Sequence, residues 1–362
     1  MAVYEPKPTR EAPSSAKGII HWLKENLFST PMNVALTFLG LAFLFWIIPP
    51  FIKWAYIDAN FAGNSKADCT GDGACWVFIK MKLDMFMYGF YPKEEVWRLK
   101  TALGLFLALV IVIKFFVKNL KIRFALITLY FITSLILVNG GLFGLETVPT
   151  DKWGGLMLTI VVAAVGIVFS FPIGIIIAFG RASDLPIIRS VSVTYIEFIR
   201  GVPLITILFM SSIILPLFFP EGVTFDKLLR ALIGITLFQA AYVAENIRGG
   251  LQSIPKGQYE AADAVGLSYW QKMLLVILPQ ALKVAIPNLV GSFIALFQDT
   301  TLVLIIGLFD LLAMVRVAAA DSHWLGMETE GYVFVTVVFW IFCYGMSRYS
   351  QKIEKQFNTD LK

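Results

Sequence analysis

The sequence predicts an all-α integral membrane protein of about eight transmembrane helices. Three observations carry that expectation. Hydrophobic residues make up 58% of the 362-residue chain and the mean hydropathy is +0.75. Charged residues are only 15%, where soluble domains carry about 25%. About eight apolar stretches reach the roughly 20 residues a helix needs to cross the hydrocarbon core, near 33–53, 99–117, 122–143, 153–180, 193–218, 228–248, 283–308 and 330–347. Composition also excludes functions. The net charge of +5 comes without a basic helix, so it fits membrane topology rather than nucleic-acid binding. Two histidines and three cysteines leave little for a metal site. No Gly-x-x-x-x-Gly-Lys-Ser/Thr occurs, so the chain has no Walker loop to cradle nucleotide phosphates.

Residues 1–32 are polar and carry Pro6, Pro8 and Pro13; this leader reads as a cytoplasmic segment and not as a signal peptide. Within it, Ile19, Ile20, Trp22, Leu23 and Leu27 alternate with His21, Lys24 and Glu25, the pattern of a short interfacial helix. After the first span comes a loop, 54–98. Its Cys69 and Cys75 flank Thr70-Gly71-Asp72-Gly73-Ala74, a run that permits a tight turn, so a disulfide is expected in an oxidising compartment. The aromatics of this loop, Trp76, Phe78, Phe86, Tyr88, Phe90, Tyr91 and Trp97, suit an interface belt or a protein contact. Spans two and three are joined by only the residues around Lys118 to Arg123 and should form an antiparallel hairpin. Gly140 and Gly144 make a small-xxx-small pair that can mark close helix packing.

Pro172 and Pro203 fall within expected spans and can kink them. Glu197 and Arg200, three apart, share a helix face and can interact. Arg200 can alternatively meet another carboxylate, and both can snorkel. Glu245, Asn246 and Arg248 close the next span and read as end groups that position the loop after it. Gln298-Asp299-Thr300-Thr301 interrupts an apolar segment. A carboxylate there costs about 2.5–3.5 kcal/mol on insertion scales, so it must be paired, hydrated or facing a cavity. Asp299 could accept a substrate ammonium while Thr300 and Thr301 hydrogen-bond its other groups; equally, Asp299 could cap a broken helix or pair with an arginine. Cys343 reads as a packed thiol.

Positive charge orients the bundle. Lys118, Lys121, Arg123, Arg181, Arg189, Arg248, Lys256, Lys272, Arg348, Lys352, Lys355 and Lys362 gather on one side, which puts both termini in the cytoplasm. The stretch from Lys53 to Lys100 runs against that rule with seven Lys or Arg, and its six acids, Asp58, Asp68, Asp72, Asp84, Glu94 and Glu95, count for little in it.

Between two apolar segments lies a polar stretch, Glu260-Ala261-Ala262, then Gly266, then Leu278-Pro279. This register resembles the EAA loop of bacterial ABC importer permeases, a cytoplasmic helix-turn-helix that docks on a separate ATPase. The stretches Ser253 to Gln258, Pro279 to Leu282, Phe293 to Val303 and Tyr195 to Leu204 are similar to the polar amino-acid branch. The longer architecture looks like the smaller membrane subunit of general L-amino-acid ABC transporters. The resemblance is strong over roughly 153–352. Val276 stands where the pattern has isoleucine, Gln298 where the branch usually has lysine, and Thr301 where it often has serine.

The resemblance implies a division into the cytoplasmic segment 1–32, a three-helix scaffold at 33–152 with its periplasmic loop 54–98, and a permease core at 153–362. The last five helices form that core, with a coupling loop at 256–282. It further implies an inner-membrane subunit moving L-amino acids by alternating access. Its expected partners are two ATPase subunits that bind ATP and magnesium, a related permease chain, a periplasmic amino-acid-binding protein, and the lipid bilayer. The chain itself would hold no cofactor. An ion-driven secondary transporter would have no use for the docking loop, and a membrane-embedded enzyme would need a cluster of His, Asp or Ser at one membrane face that the sequence does not offer.

Overall fold

The computed structural model describes residues 18–220 and 225–359. The leader up to residue 17, with Pro6, Pro8 and Pro13, and Lys362 at the other terminus lie outside the described residues. The chain divides into two compact units, 1–77 and 78–362.

In the first unit, α1 (Ile19–Asn26) is the expected short amphipathic helix, with Ile19, Ile20 and Trp22 exposed. α2 (Pro31–Ile52) starts where Thr30 accepts a hydrogen bond from the Asn33 amide, an N-cap reinforced by Pro31 in the first turn. None of its residues is buried. Past Pro49-Pro50 it widens into a π-type turn, Lys53–Ile57. Beyond lies a knot of turns in which Cys69 and Cys75 are joined, their Cα atoms 5.6 Å apart. The amides of Asn64 and Ser65 donate to Asp68 and hold its carboxyl below the usual range.

The second unit opens in α3 (Trp76–Tyr88), whose first turn marks the boundary. The stretch 54–98, expected as loop, therefore contains a helix; its 13 residues are too short a run to register as a span. α4 (Val96–Phe115) and α5 (Leu120–Asn139) form the expected hairpin. Gly140 and Gly144 do not continue α5: both have positive φ and sit in the turn beyond it. A Cβ on Gly140 would collide with the Glu146 carbonyl oxygen, so that glycine serves close backbone approach, not helix pairing. The buried Arg98 closes this end, donating to that carbonyl at 2.7 Å and lying 2.6 Å from Glu95 in a charge contact too bent for a hydrogen bond.

α6 (Gly155–Arg181) and α9 (Lys227–Gln252) run through the middle. They pack closely through small residues: Ala240, Ala241 and Ala244 are fully buried, and Gly174 faces Val243. One core cluster, with Leu158, Val162, Ile235 and Leu296, fills the end nearer α4 and α5. A second, with Phe179, Val243, Ile247 and Ile277, fills the other end.

The expected fifth span is not one helix. α7 (Pro186–Gly201) stops at Val202, and α8 (Leu204–Phe209) runs on by irregular turns to Phe218, bent from α7 by 104°. The residue before a proline is pushed out of the helical region, and Val202 is extended while Pro203 caps α8. Pro203 therefore starts a helix and does not kink one; Pro172 does lie inside α6. After α10 (Lys256–Ala264), α11 (Tyr269–Gln271) leads through a wide turn at Lys272–Ile277 into α12 (Leu278–Asp299) and a 3₁₀ stretch to Ile306. The wide turn precedes Pro279, whose ring would clash with a carbonyl four residues back in a regular helix. α13 (Leu311–Ala319) was also unforeseen, and α14 (Glu328–Thr359) closes the chain. Seven helices among the described residues are long and apolar enough to cross a membrane, or eight counting the bent pair as one.

Candidate functional site

The polar loop between α9 and α12 is a helix-turn-helix held at each joint. The Ser253 hydroxyl donates to the Gly250 carbonyl and Tyr259 donates to Leu251, so α10 leaves α9 in a fixed direction. α10 carries Glu260 and Ala261 on its exposed side and buries Ala262. It ends in a Schellman motif: the Leu267 amide reaches back to the Ala262 carbonyl, the Gly266 amide to Asp263, and Gly266 has φ +78°. That left-handed position is where glycine carries no steric cost. Ser268 and Gln271 then form a capping box, which starts the returning arm. Lys272 clamps Asp263 at 2.6 Å, and Gln280 reaches Gln258 at 3.1 Å, bridging the two arms. Leu278 is buried and Pro279 lies in the first turn of α12. The tip shows bare apolar surface: Val265 is 74% exposed, Trp270 60% and Tyr269 46%.

About 10 Å up α9 from its end, at 1.5 Å per residue, lies an ionic cluster. Glu245 grips Arg248 by both oxygens, at 2.6 and 2.9 Å. It also meets Arg181 of α6 at 3.3 Å and Arg200 of α7 at 3.6 Å. Arg181 bridges on to Glu197 at 2.9 Å. Glu197 and Arg200 therefore do not pair with each other; each looks off α7 to a different partner. Arg200 also lies over the Tyr242 ring, 5.7 Å from its centroid, a cation–π placement. Three arginines thus share two carboxylates, and α6, α7 and α9 are tied together.

Gln298 to Thr301 sit where α12 tightens into the 3₁₀ stretch. Thr300 is buried and donates to the Phe297 carbonyl; Thr301 donates to Gln298. Gln298 reaches the Cys343 sulfur at 3.8 Å. Asp299 is half-buried, its side chain makes no cap bond, and no arginine meets it among the described residues. The arginine-pair and helix-cap readings of Asp299 do not hold. The reason is geometric: the chain after Asp299 stays helical, so no free amides face its carboxylate.

A model of the "Binding-protein-dependent transport system inner membrane component" family matches residues 170–357. The chain belongs to that family. It is a multi-pass permease subunit of the inner membrane, and not itself the catalyst. The permease is 53% identical to the inner membrane amino-acid ABC transporter permease protein YhdY of Escherichia coli (strain K12), over 97% of this chain and 96% of that protein. It is 40% identical to the glutamate/glutamine/aspartate/asparagine transport system permease protein BztC of Rhodobacter capsulatus, again over 97% and 96%. Among solved structures, an amino acid ABC transporter crystallised with histidines aligns at TM-score 0.49 and 27% identity, over 56% of this chain and 92% of that one.

The sequence reading of this permease missed Arg181 and Glu245 as site members. Arg181 counted only as a loop cation, although it is the last residue of α6, and Glu245 counted as an end group. The signal that was present is the spacing of Glu245 and Arg248, a carboxylate and a guanidinium three apart inside an apolar helix. The positions of Arg181 and Arg200 around them are set by tertiary packing. Among the described residues no cluster of His, Cys, Asp or Glu could hold a metal ion.

Proposed function

We propose that this permease is one membrane subunit of an ATP-driven importer for L-amino acids, paired with a second, related permease chain. Two ATPase subunits holding ATP and magnesium dock on the 256–282 loop, a periplasmic binding protein delivers the amino acid, and alternating access releases it inside. Residues 153–362 act as the transport core and 33–152 as scaffold, with both termini and the loop in the cytoplasm. Glu260, Ala261, Ala262, Gly266, Leu278 and Pro279 fix the docking surface; Gln298, Asp299, Thr300, Thr301, Glu197 and Arg200 lie along the path. The observation that supports this reading best is the loop's construction. Every joint is braced, yet its tip leaves Val265, Tyr269 and Trp270 bare to solvent, the form of a surface waiting for a rigid partner. The names of the two curated relatives support the amino-acid substrate.

The test is Gly266→Asp. The added Cβ meets nothing within 4 Å, so the substitution adds charge at the tip and strains only the turn, at about 1–2 kcal/mol. Expected is a chain that inserts normally, co-purifies poorly with its ATPase and loses most ATP-dependent uptake. Full uptake with a normal complex rejects the docking role. Wild-type uptake that follows an ion gradient and survives removal of ATP rejects the ATP-driven reading itself.

A further inference from the structure

At the end of the bundle away from the coupling loop lies a cavity of about 890 Å³ with a mainly apolar lining. Its long walls are one face of α5, from Tyr130 to Asn139, and one face of α6, from Leu156 to Val165. On both helices the lining residues recur in pairs every four positions, so each wall is a single stripe. Nine residue steps at 1.5 Å make each wall about 14 Å long, close to half of the roughly 30 Å hydrocarbon core. The groove is therefore one leaflet deep. At its charged rim, the mouth of the groove, it adjoins a smaller hollow of about 210 Å³, which shares Tyr88 and Lys100 with it.

The charges around this mouth are unusual. Lys93, Lys100 and Lys227 line the two hollows with Asp84, Asp151 and Asp226. Asp226 is occupied: it caps α9 by accepting from the Leu229 amide, and it accepts from the Thr150 hydroxyl. The other five make no ion pair among the described residues. Three lysines and two carboxylates above an apolar slot one leaflet deep thus lack an ion-pair partner among the described residues.

We propose that this groove holds a structural phospholipid with a zwitterionic, primary-ammonium headgroup. Its acyl chains lie along the α5 and α6 stripes, its phosphate meets Lys100 and Lys227, and its ammonium meets Asp84. The unpaired carboxylates Asp84 and Asp151 beside the lysines select this headgroup over a purely anionic one, which carries no ammonium to meet them. The lipid mortars the α4–α5 hairpin to α6 and α9. This inference rests on the membrane location of the chain and not on what the chain transports.

The test uses the full-length chain, extracted in mild detergent from membranes containing phosphatidylethanolamine and phosphatidylglycerol, with bound lipid counted by native mass spectrometry. About one phospholipid per chain should survive extended washing, with the ethanolamine headgroup enriched several-fold over its share of the membrane. Lys100→Gln with Lys227→Gln should lower retention at least tenfold. Ala164→Trp, which fills the slot and leaves the mouth charges alone, should do the same, so one folding failure cannot decide the outcome. Asp84→Asn should keep a lipid but erase the preference for ethanolamine. A wild-type chain that washes free of lipid overturns the proposal, as does retention indifferent to all these variants. So does a disulfide between Ala164→Cys and a cysteine on a neighbouring polypeptide in the assembled complex, because it would show a protein helix in the groove.

Discussion

A single carboxylate holds the ionic cluster together. Glu245 is the residue that three guanidinium groups share, with its side chain 19% exposed and Arg181's 20%. Removing one partner of a largely buried ion pair costs about 3–5 kcal/mol, because the charges left behind lose their counter-ion; here the partial exposure lowers that figure. Glu245→Gln keeps the shape and leaves Arg181, Arg200 and Arg248 to repel one another. The expected outcome is a complex several degrees less stable to heat, with ATPase activity less dependent on the loaded binding protein. An unchanged melting temperature with unchanged coupling removes the cluster from the mechanism. Asp299 is the opposite case, a half-buried carboxylate with no ion-pair partner among the described residues. Asp299→Asn should therefore leave complex yield and melting unchanged. Uptake should fall about tenfold or more, since a charge-assisted hydrogen bond contributes about 1.5–3 kcal/mol. A drop in yield instead would give Asp299 a structural role, and normal uptake would take it out of the substrate path.

At the level of elements, the sequence revealed the long helices well and the short ones poorly. α2, α4, α5, α6 and α9 were visible because each carries an apolar run close to the roughly 20 residues a span needs. α3 and α13 were not, because they are too short and mixed to register in that way, and their burial depends on neighbours distant in the sequence. The break at Val202-Pro203 was written in the chain, but hydropathy runs straight through it; only the restriction on a pre-proline residue shows it. Gly140 and Gly144 show the reverse error, a spacing motif without the helix it needs. α6 and α9 meet in a close joint. A Cβ on Gly174 would stand 2.5 Å from Val243 Cγ1 and 3.1 Å from the Ala240 carbonyl oxygen, so something must shift. Gly174→Ala should cost about 1–3 kcal/mol as overpacking, read as a lower melting temperature. Gly104→Ala on α4, where a Cβ meets nothing within 4 Å, should be neutral or slightly stabilising. Equal effects of the two would mean α6 and α9 are not in tight contact.

On the scale of the whole molecule, the helix-turn-helix between α9 and α12 was legible and the ionic cluster was not, for one reason. The loop is contiguous, so its register of small residues, glycine and Leu-Pro survives in one dimension. The cluster draws on α6, α7 and α9 and exists only once they pack. The two are linked by the last turns of α9, from Glu245 to Gln252, and by the joint at Ser253-Ile254-Pro255. That joint is rigid: Ile254 is 9% exposed, Ser253 bonds back to Gly250 and Tyr259 bonds to Leu251. A push on α10 should therefore turn α9 and strain the contacts of Glu245 with Arg181 and Arg200, a packed two-state element of the kind that carries coupling. Inserting Gly-Gly between Ser253 and Ile254 should cut this link. The loop keeps its Schellman turn, its Lys272–Asp263 clamp and its exposed tip, so the ATPase still docks and hydrolyses ATP. Uptake should nevertheless fall to background, with ATP hydrolysis no longer stimulated by the loaded binding protein. Tyr259→Phe, which loses one hydrogen bond of about 0.5–1.5 kcal/mol, should weaken coupling only partly. Uptake and ATPase activity measured on the same proteoliposomes separate the outcomes: if the insertion mutant transports normally, the loop does not act through α9 and the ionic cluster is a brace rather than a relay.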